Sequence, residues 1–132
     1  MPFTRISLLA GKPKEYLAAV LDSLDRALVE SFEVPENDRF AAIHQHQPGE
    51  LAFDRSYRGG SRTNDYIFFH ITTGRARSAE TKARFYRRLV ECLAEAPGVR
   101  PEDVMVAIVN STFEDWSFAS GISAAEPAEV AR

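Results

Sequence analysis

The 132-residue chain has one cysteine, Cys92, and one tryptophan, Trp116. A lone cysteine cannot close an internal disulfide, so a reducing, cytoplasmic setting suits the chain. No apolar run approaches the roughly 20 residues that a membrane-spanning helix needs. The opening MPFTRISLLAGKP lacks a basic leading region and a cleavage site, so it reads as a strand and not as a secretion signal. A basic excess is also missing. Sixteen Lys and Arg against 19 Asp and Glu give a formal net charge of −3, which speaks against a nucleic-acid partner. No G-x-S-x-G elbow exposes a serine nucleophile, and Gly59-Gly60 is not a phosphate-binding loop. His44 and His46 share a strand face, but two imidazoles do not complete a metal site, and nothing obvious supplies further ligands. Against these absences, 45% of the residues are hydrophobic, enough for the core of a single domain over residues 1–132.

The apolar spacing divides the chain into two similar halves. Phe3 to Leu9 is rich in strand formers, and Gly11 and Pro13 break it. Leu17, Val20, Leu21, Leu24, Leu28 and Phe32 then recur at helical spacing up to Val34-Pro35. A strand over Phe40 to Gln45 follows, then a long polar, glycine-containing loop from Gln47 to Asn64 with room for a hairpin. Tyr66 to Ile71 is a strand. Ser78 suits the N-cap of a second helix, whose face carries Phe85, Leu89 and Leu93 and which ends near Pro97-Gly98. Val104 to Val109 is the last strand, and residues 122–132 read as a tail that frays.

VPENDRFAAI (Val34 to Ile43) lines up with VRPEDVMVAI (Val99 to Ile108), setting Asp38 on Asp103. Approximate repeats over 2–46 and 65–110 therefore describe an α/β chain of two β-α-β units. Long helices between short strands make each strand pair parallel, giving a four-stranded sheet with two helices on one face. Tyr66 to Ile71 and Val104 to Val109 are apolar on both faces, the mark of strands buried on both sides. The chain has no third helix for the second face, so other subunits are expected to cover it.

Few residues carry chemistry. Trimming of Met1 would expose the secondary amine of Pro2, a base when neutral and a carbonyl polariser when protonated; with Met1 retained the nitrogen is an amide without basicity. Arg75 and Arg77 flank Ala76 between a buried strand and the start of the second helix. That helix end carries partial positive charge. The pair either grips an external anion such as a carboxylate or is matched by acids elsewhere in the chain. In the first case, replacing either arginine leaves folding intact; in the second it lowers stability. Asp38 follows a turn, and Trp116 and Phe118, just past the last strand, are either core or pocket wall. His70 and Cys92 read as packing residues.

Together these pieces resemble the tautomerase superfamily, most closely its malonate semialdehyde decarboxylase family, from Pro2 to about Gly121. The stretches that carry the resemblance are Val34-Pro35-Glu36-Asn37-Asp38-Arg39, Gln45-His46-Gln47-Pro48-Gly49-Glu50, Arg75-Ala76-Arg77-Ser78 and Asp115-Trp116-Ser117-Phe118. The resemblance implies a β-α-β-β-α-β homotrimer that decarboxylates a 3-oxo acid, 3-oxopropanoate in the simplest case, without a cofactor. It implies Pro2 as the catalytic amine, Asp38 as the acid working with it, Arg75 and Arg77 on the substrate carboxylate, and Trp116 and Phe118 as pocket lining. A tautomerase or hydratase acting on a 2-oxo acid, or a catalytically silent trimeric binding protein, is the alternative. Ala76 departs from the proline usual in the family, and the tail beyond Gly121 does not resemble it. The related cis-3-chloroacrylate dehalogenases use a histidine on the first helix, which this chain lacks.

Overall fold

The computed structural model describes residues 2–126; Met1, and with it the question of its removal, and the part of the tail from 127 onward lie outside the described residues. The element order is β1 (Pro2–Leu9), α1 (Lys14–Ser31), β2 (Ala41–His46), β3 (Ile67–Thr73), α2 (Ala79–Glu95) and β4 (Val104–Asn110). Short 3-10 turns cover Pro101–Asp103 and Phe113–Asp115. Each long element lies close to its expected place, although α1 stops at Ser31, short of Val34-Pro35. The 47–66 loop contains no strand. Phe53, stacked on Tyr66 at 4.3 Å, and the bond from Arg55 to Asn64 hold it down.

The sheet order is β2-β1-β3-β4. The β1–β2 and β3–β4 pairs are parallel, as helical crossovers require, and the two units meet along an antiparallel β1–β3 pair. An approximate twofold axis between β1 and β3 therefore relates the units. Alternation along the strands sends Ile6 and Leu8, and Ile67, Phe69 and Ile71, to one face. There they join Val20, Leu24 and Leu28 of α1 and Phe85, Leu89 and Leu93 of α2 in a single core, so both helices cover the same face, as expected. Among the described residues, no helix is long and apolar enough to cross a membrane.

The helix ends explain why the repeat survives in the sequence. Ser78 caps α2 by accepting from the Thr81 N–H at 3.1 Å. At the far end Gly98 has φ 103°, and the Gly98 and Val99 N–H groups both reach the Leu93 carbonyl. The matching position after α1 is Glu33, with φ 58°, and the Val34 N–H likewise reaches Leu28. A side chain in this left-handed region costs about 1 kcal/mol relative to glycine. The first unit thus accepts strain at a residue that, as shown below, binds both arginines.

The second sheet face differs from the sequence expectation in composition. Phe68, Met105 and Val109 are apolar, but the register also brings Arg5, His44, His46, His70 and Thr72 to that face. The Arg5 guanidinium meets the His44 ring at 3.2 Å and lies over Phe3. The face is mixed rather than wholly apolar, because β1 and β2 add Arg5, His44 and His46 to the His70 and Thr72 of β3. The tail expected to fray from residue 122 folds back at its start: Ser123 bridges Ser117, and the Ala124 N–H bonds the Trp116 carbonyl at 2.9 Å.

Candidate active site

Parallel pairing puts the start of β1 beside the start of β2, and antiparallel pairing puts it beside the end of β3. Pro2 therefore lies opposite Thr73, one residue before the Gly74-Arg75-Ala76-Arg77 loop. The end of β4 arrives at the same edge, where Asn110 pairs with Thr73. Pro2, Asp38, the Arg75–Arg77 loop, Trp116 and Phe118 all lie toward this end of the sheet, whereas His46 pairs with Leu9 at the other.

Pro2 is buried and borders a narrow cleft with Asp38, Phe40 and three leucines of α1. Asp38 also lines the adjoining cleft, whose walls are Phe3, Phe40, Phe113, Trp116 and Phe118. The aromatic wall is braced from within. Trp116 donates its indole N–H to Ser111 Oγ at 2.7 Å, and Ser111 in turn bonds the Thr73 carbonyl. Phe118 meets Phe113 edge-on at 6.0 Å and lies 5.8 Å from Trp116, while 51% of its own surface stays exposed. Trp116 and Phe118 are thus pocket wall and not core.

A third cleft adjoins these and is bounded by Gly74, Arg75, Ala76, Asn110, Ser111 and Phe113. Arg75 is the cation on it. It is more than half exposed and pairs with Glu33 at 3.2 Å. An exposed pair of this kind contributes little to stability and gives way readily to a competing carboxylate.

Arg77 behaves differently, and here the expectation of two arginines awaiting the same anion needs correction. Its side chain is turned inward, and the residue is only 7% exposed. Nε donates to the Phe32 carbonyl at 3.1 Å, NH1 to the Arg75 carbonyl at 2.8 Å, and NH2 to the Glu33 carbonyl at 3.4 Å. The guanidinium also lies over the Phe32 ring, 4.6 Å from its centre. Burial, followed by the neighbouring Arg75 charge, pulls Arg77 below its ordinary pKa. The physical reason is that α1 ends in unsatisfied carbonyls. Packing α1 against α2 carries those carbonyls to the 74–78 loop, where Arg77 meets them. The positive charge that seemed to need an external anion already faces carbonyl oxygens.

Four lining residues escaped the sequence reading. Phe40 and Phe113 are exposed aromatics at the site's edge, and Asn110 holds Thr73 through its side chain. The fourth, Asp25, borders the Pro2 cleft from α1. Its signal was available: an acid interrupts the apolar stripe between Leu21 and Leu28.

One family model described as tautomerase enzyme matches residues 38–119, and a second of the same description matches residues 2–56. The probable tautomerase YusQ of Bacillus subtilis (strain 168) is 33% identical over 121 residues, spanning 92% of this chain and 95% of that protein. A crystal structure of malonate semialdehyde decarboxylase, studied for its decarboxylase and hydratase activities, superposes with a TM-score of 0.85 at 33% identity. The match covers 91% of this chain and 92% of that one. A malonate semialdehyde decarboxylase inhibited by 3-bromopropiolate gives a TM-score of 0.84 at 34% identity, covering 92% of each chain. With its sheet order, its helices on one face and these relatives matched across nearly its whole length, the chain belongs to the tautomerase superfamily and is malonate semialdehyde decarboxylase-like within it.

Proposed function

We propose that the protein is a cofactor-independent decarboxylase of a small 3-oxo acid such as 3-oxopropanoate, working through the amine of Pro2 after loss of Met1. The observation that carries this reading is the meeting of Pro2, Asp38, Arg75 and an aromatic wall at one sheet edge. Arg75 exchanges its exposed partner Glu33 for the substrate carboxylate. It orients that group so that the breaking C–C bond stands perpendicular to the carbonyl plane. Arg77 fixes the loop that presents Arg75 and adds its charge from behind. The electrons of the breaking bond pass into the carbonyl, giving an enolate and CO₂, and a proton added at carbon completes acetaldehyde. A protonated Pro2 stabilises the enolate oxygen by hydrogen bonding; a neutral Pro2 reaches the same end through an iminium. Asp38 orients the amine or a water molecule. The wall of Trp116 and Phe118 favours neutral CO₂ over the charged carboxylate. Three copies of the chain assemble and cover the second sheet faces.

A 2-oxo acid substrate, tautomerised or hydrated, suits the same amine and arginine, and the similarity to a probable tautomerase gives this second reading its support. The test is turnover of 3-oxopropanoate and of a 2-oxo acid by protein whose intact mass and sedimentation are known. Loss of Met1, a trimeric mass and acetaldehyde formation are expected. Arg75→Ala should leave the melting temperature nearly unchanged and lower kcat/KM roughly a hundredfold, the effect of losing a charged hydrogen-bonding partner. Retained Met1 with no turnover of either substrate would instead identify a silent binding protein.

A further inference from the structure

Helix α1 turns Leu17, Val20, Leu21, Leu24 and Leu28 toward the sheet, and Asp25 sits among them. Its Oδ1 is buried and accepts no hydrogen bond from the described residues. A carboxylate oxygen left in that state is costly, so a proton donor is expected to face it in the working protein. The cleft that Asp25 borders is also lined by Pro2, Asp38 and Arg39. Arg39 is occupied on the outer side of α1, where it bonds Asp22 at 2.6 Å. Arg77 is tied to carbonyls and Arg75 pairs with Glu33. Side-chain cations aside, the group on the cleft able to become a charged donor is the nitrogen of Pro2. It has no hydrogen to donate while joined to Met1, and gains two when it becomes a terminal secondary ammonium.

We infer that Asp25 is the hydrogen-bond acceptor that anchors the Pro2 amine of the trimmed chain, a positioning residue distinct from Asp38. The inference rests on the proposed role of Pro2. One N–H of the ammonium bonds the Asp25 carboxylate, and the second is left for the substrate carbonyl oxygen. The charged groups around the amine are then Asp25 from α1, Asp38 and Arg39 from the segment before β2, and, farther along the edge, Glu33, Arg75 and Arg77. The two carboxylates on the cleft favour the charged amine over the neutral one. Pro2 therefore acts as a hydrogen-bond donor rather than as the nucleophile of an iminium route.

The experiment is an NMR titration of ¹⁵N-labelled Pro2 in the trimmed parent, in Asp25→Asn and in Asp25→Leu, with melting temperatures recorded beside it. In both variants the amine should titrate about one unit lower or more, and the pH dependence of kcat/KM should move with it. Melting temperatures should fall by no more than about 5 °C, since each variant removes the Asp25 bond to the amine along with the buried carboxylate. A Pro2 titration unchanged in folded variants overturns the role of Asp25 while leaving Pro2 as the catalytic amine. Variants that fail to fold would show that Asp25 serves the scaffold, and the inference would fall. Retention of Met1, seen in the intact mass, removes the donor and overturns this inference and the proposed function together.

Discussion

Replacing Arg77 with alanine should destabilise the protein more than it damages the chemistry of the folded fraction. The substitution removes three hydrogen bonds from a charged donor to the carbonyls of Phe32, Glu33 and Arg75. It also removes the contact with the Phe32 ring. The Phe32 residue is fully buried, so its carbonyl would be left without this partner away from water. Hydrogen bonds from charged groups contribute about 1.5–3 kcal/mol each, and three that share one side chain do not add fully. A total of roughly 3–4 kcal/mol follows. For a domain of this size each kcal/mol moves the melting temperature by about 3–5 °C, so a drop of roughly 10–15 °C is expected. Melting curves should be taken at one fixed protomer concentration, because assembly shifts apparent stability by mass action. Well below the new melting temperature, kcat/KM should fall only about tenfold, as the Arg75 loop loses its brace. Arg77→Lys keeps the charge without the planar fork and should fall between. A variant that melts within ~3 °C of the parent yet loses a hundredfold in kcat/KM would refute the reasoning. Arg77 would then be a substrate ligand first.

Three further outcomes follow from side chains away from the proposed chemistry. Asp103, fully buried, accepts from the Thr63 N–H and hydroxyl at 2.6 and 2.7 Å, so Asp103→Ala should cost about 2–3 kcal/mol in a denaturant melt. Glu30 is held below its ordinary pKa first by its hydrogen bond to Arg88 and then by Arg26. Its contribution is therefore present above the ordinary carboxylate range and lost as pH falls through the lowered value, so Glu30→Gln should weaken the fold at neutral pH and converge with the parent in acid unfolding curves. Cys92 is buried, and burial raises its thiol pKa. A thiol reagent at pH 8 should label it slowly in the native protein and rapidly once the chain is unfolded.

The strands, helices and repeat were legible because each rests on local spacing that the structure keeps. Leu24 and Leu28 point where a helical stripe must point, and Ser78 caps where a serine before a helix should. The convergence of Pro2, Asp38 and Arg75 was legible through resemblance; no local pattern joins residues so far apart in sequence. What stayed hidden depended on tertiary packing. The direction of Arg77 is set by carbonyls at the end of α1, more than 40 residues earlier, which come within reach only when the helices pack. Phe40 and Phe113 look like ordinary strand and loop residues until the sheet edge brings them together. Asp25 was readable in principle, since an acid inside an apolar stripe calls for a partner, but the stripe outweighed it.

The twofold relation between the two β-α-β units creates a division of labour inside one polypeptide. In the second unit, Asp103 occupies the place that Asp38 holds in the first, and β3 begins where β1 would. Its opening at Tyr66-Ile67 lies in mid-chain, so no proteolytic trimming of Met1 can turn those nitrogens into amines. The chain fills that end instead. Thr63 caps Asp103, and Lys12 pairs with Asp65 close by. On the proposed reading, the duplicated architecture carries one reaction centre per two equivalent ends. Under that reading the far end is released from chemistry and is answerable only to folding.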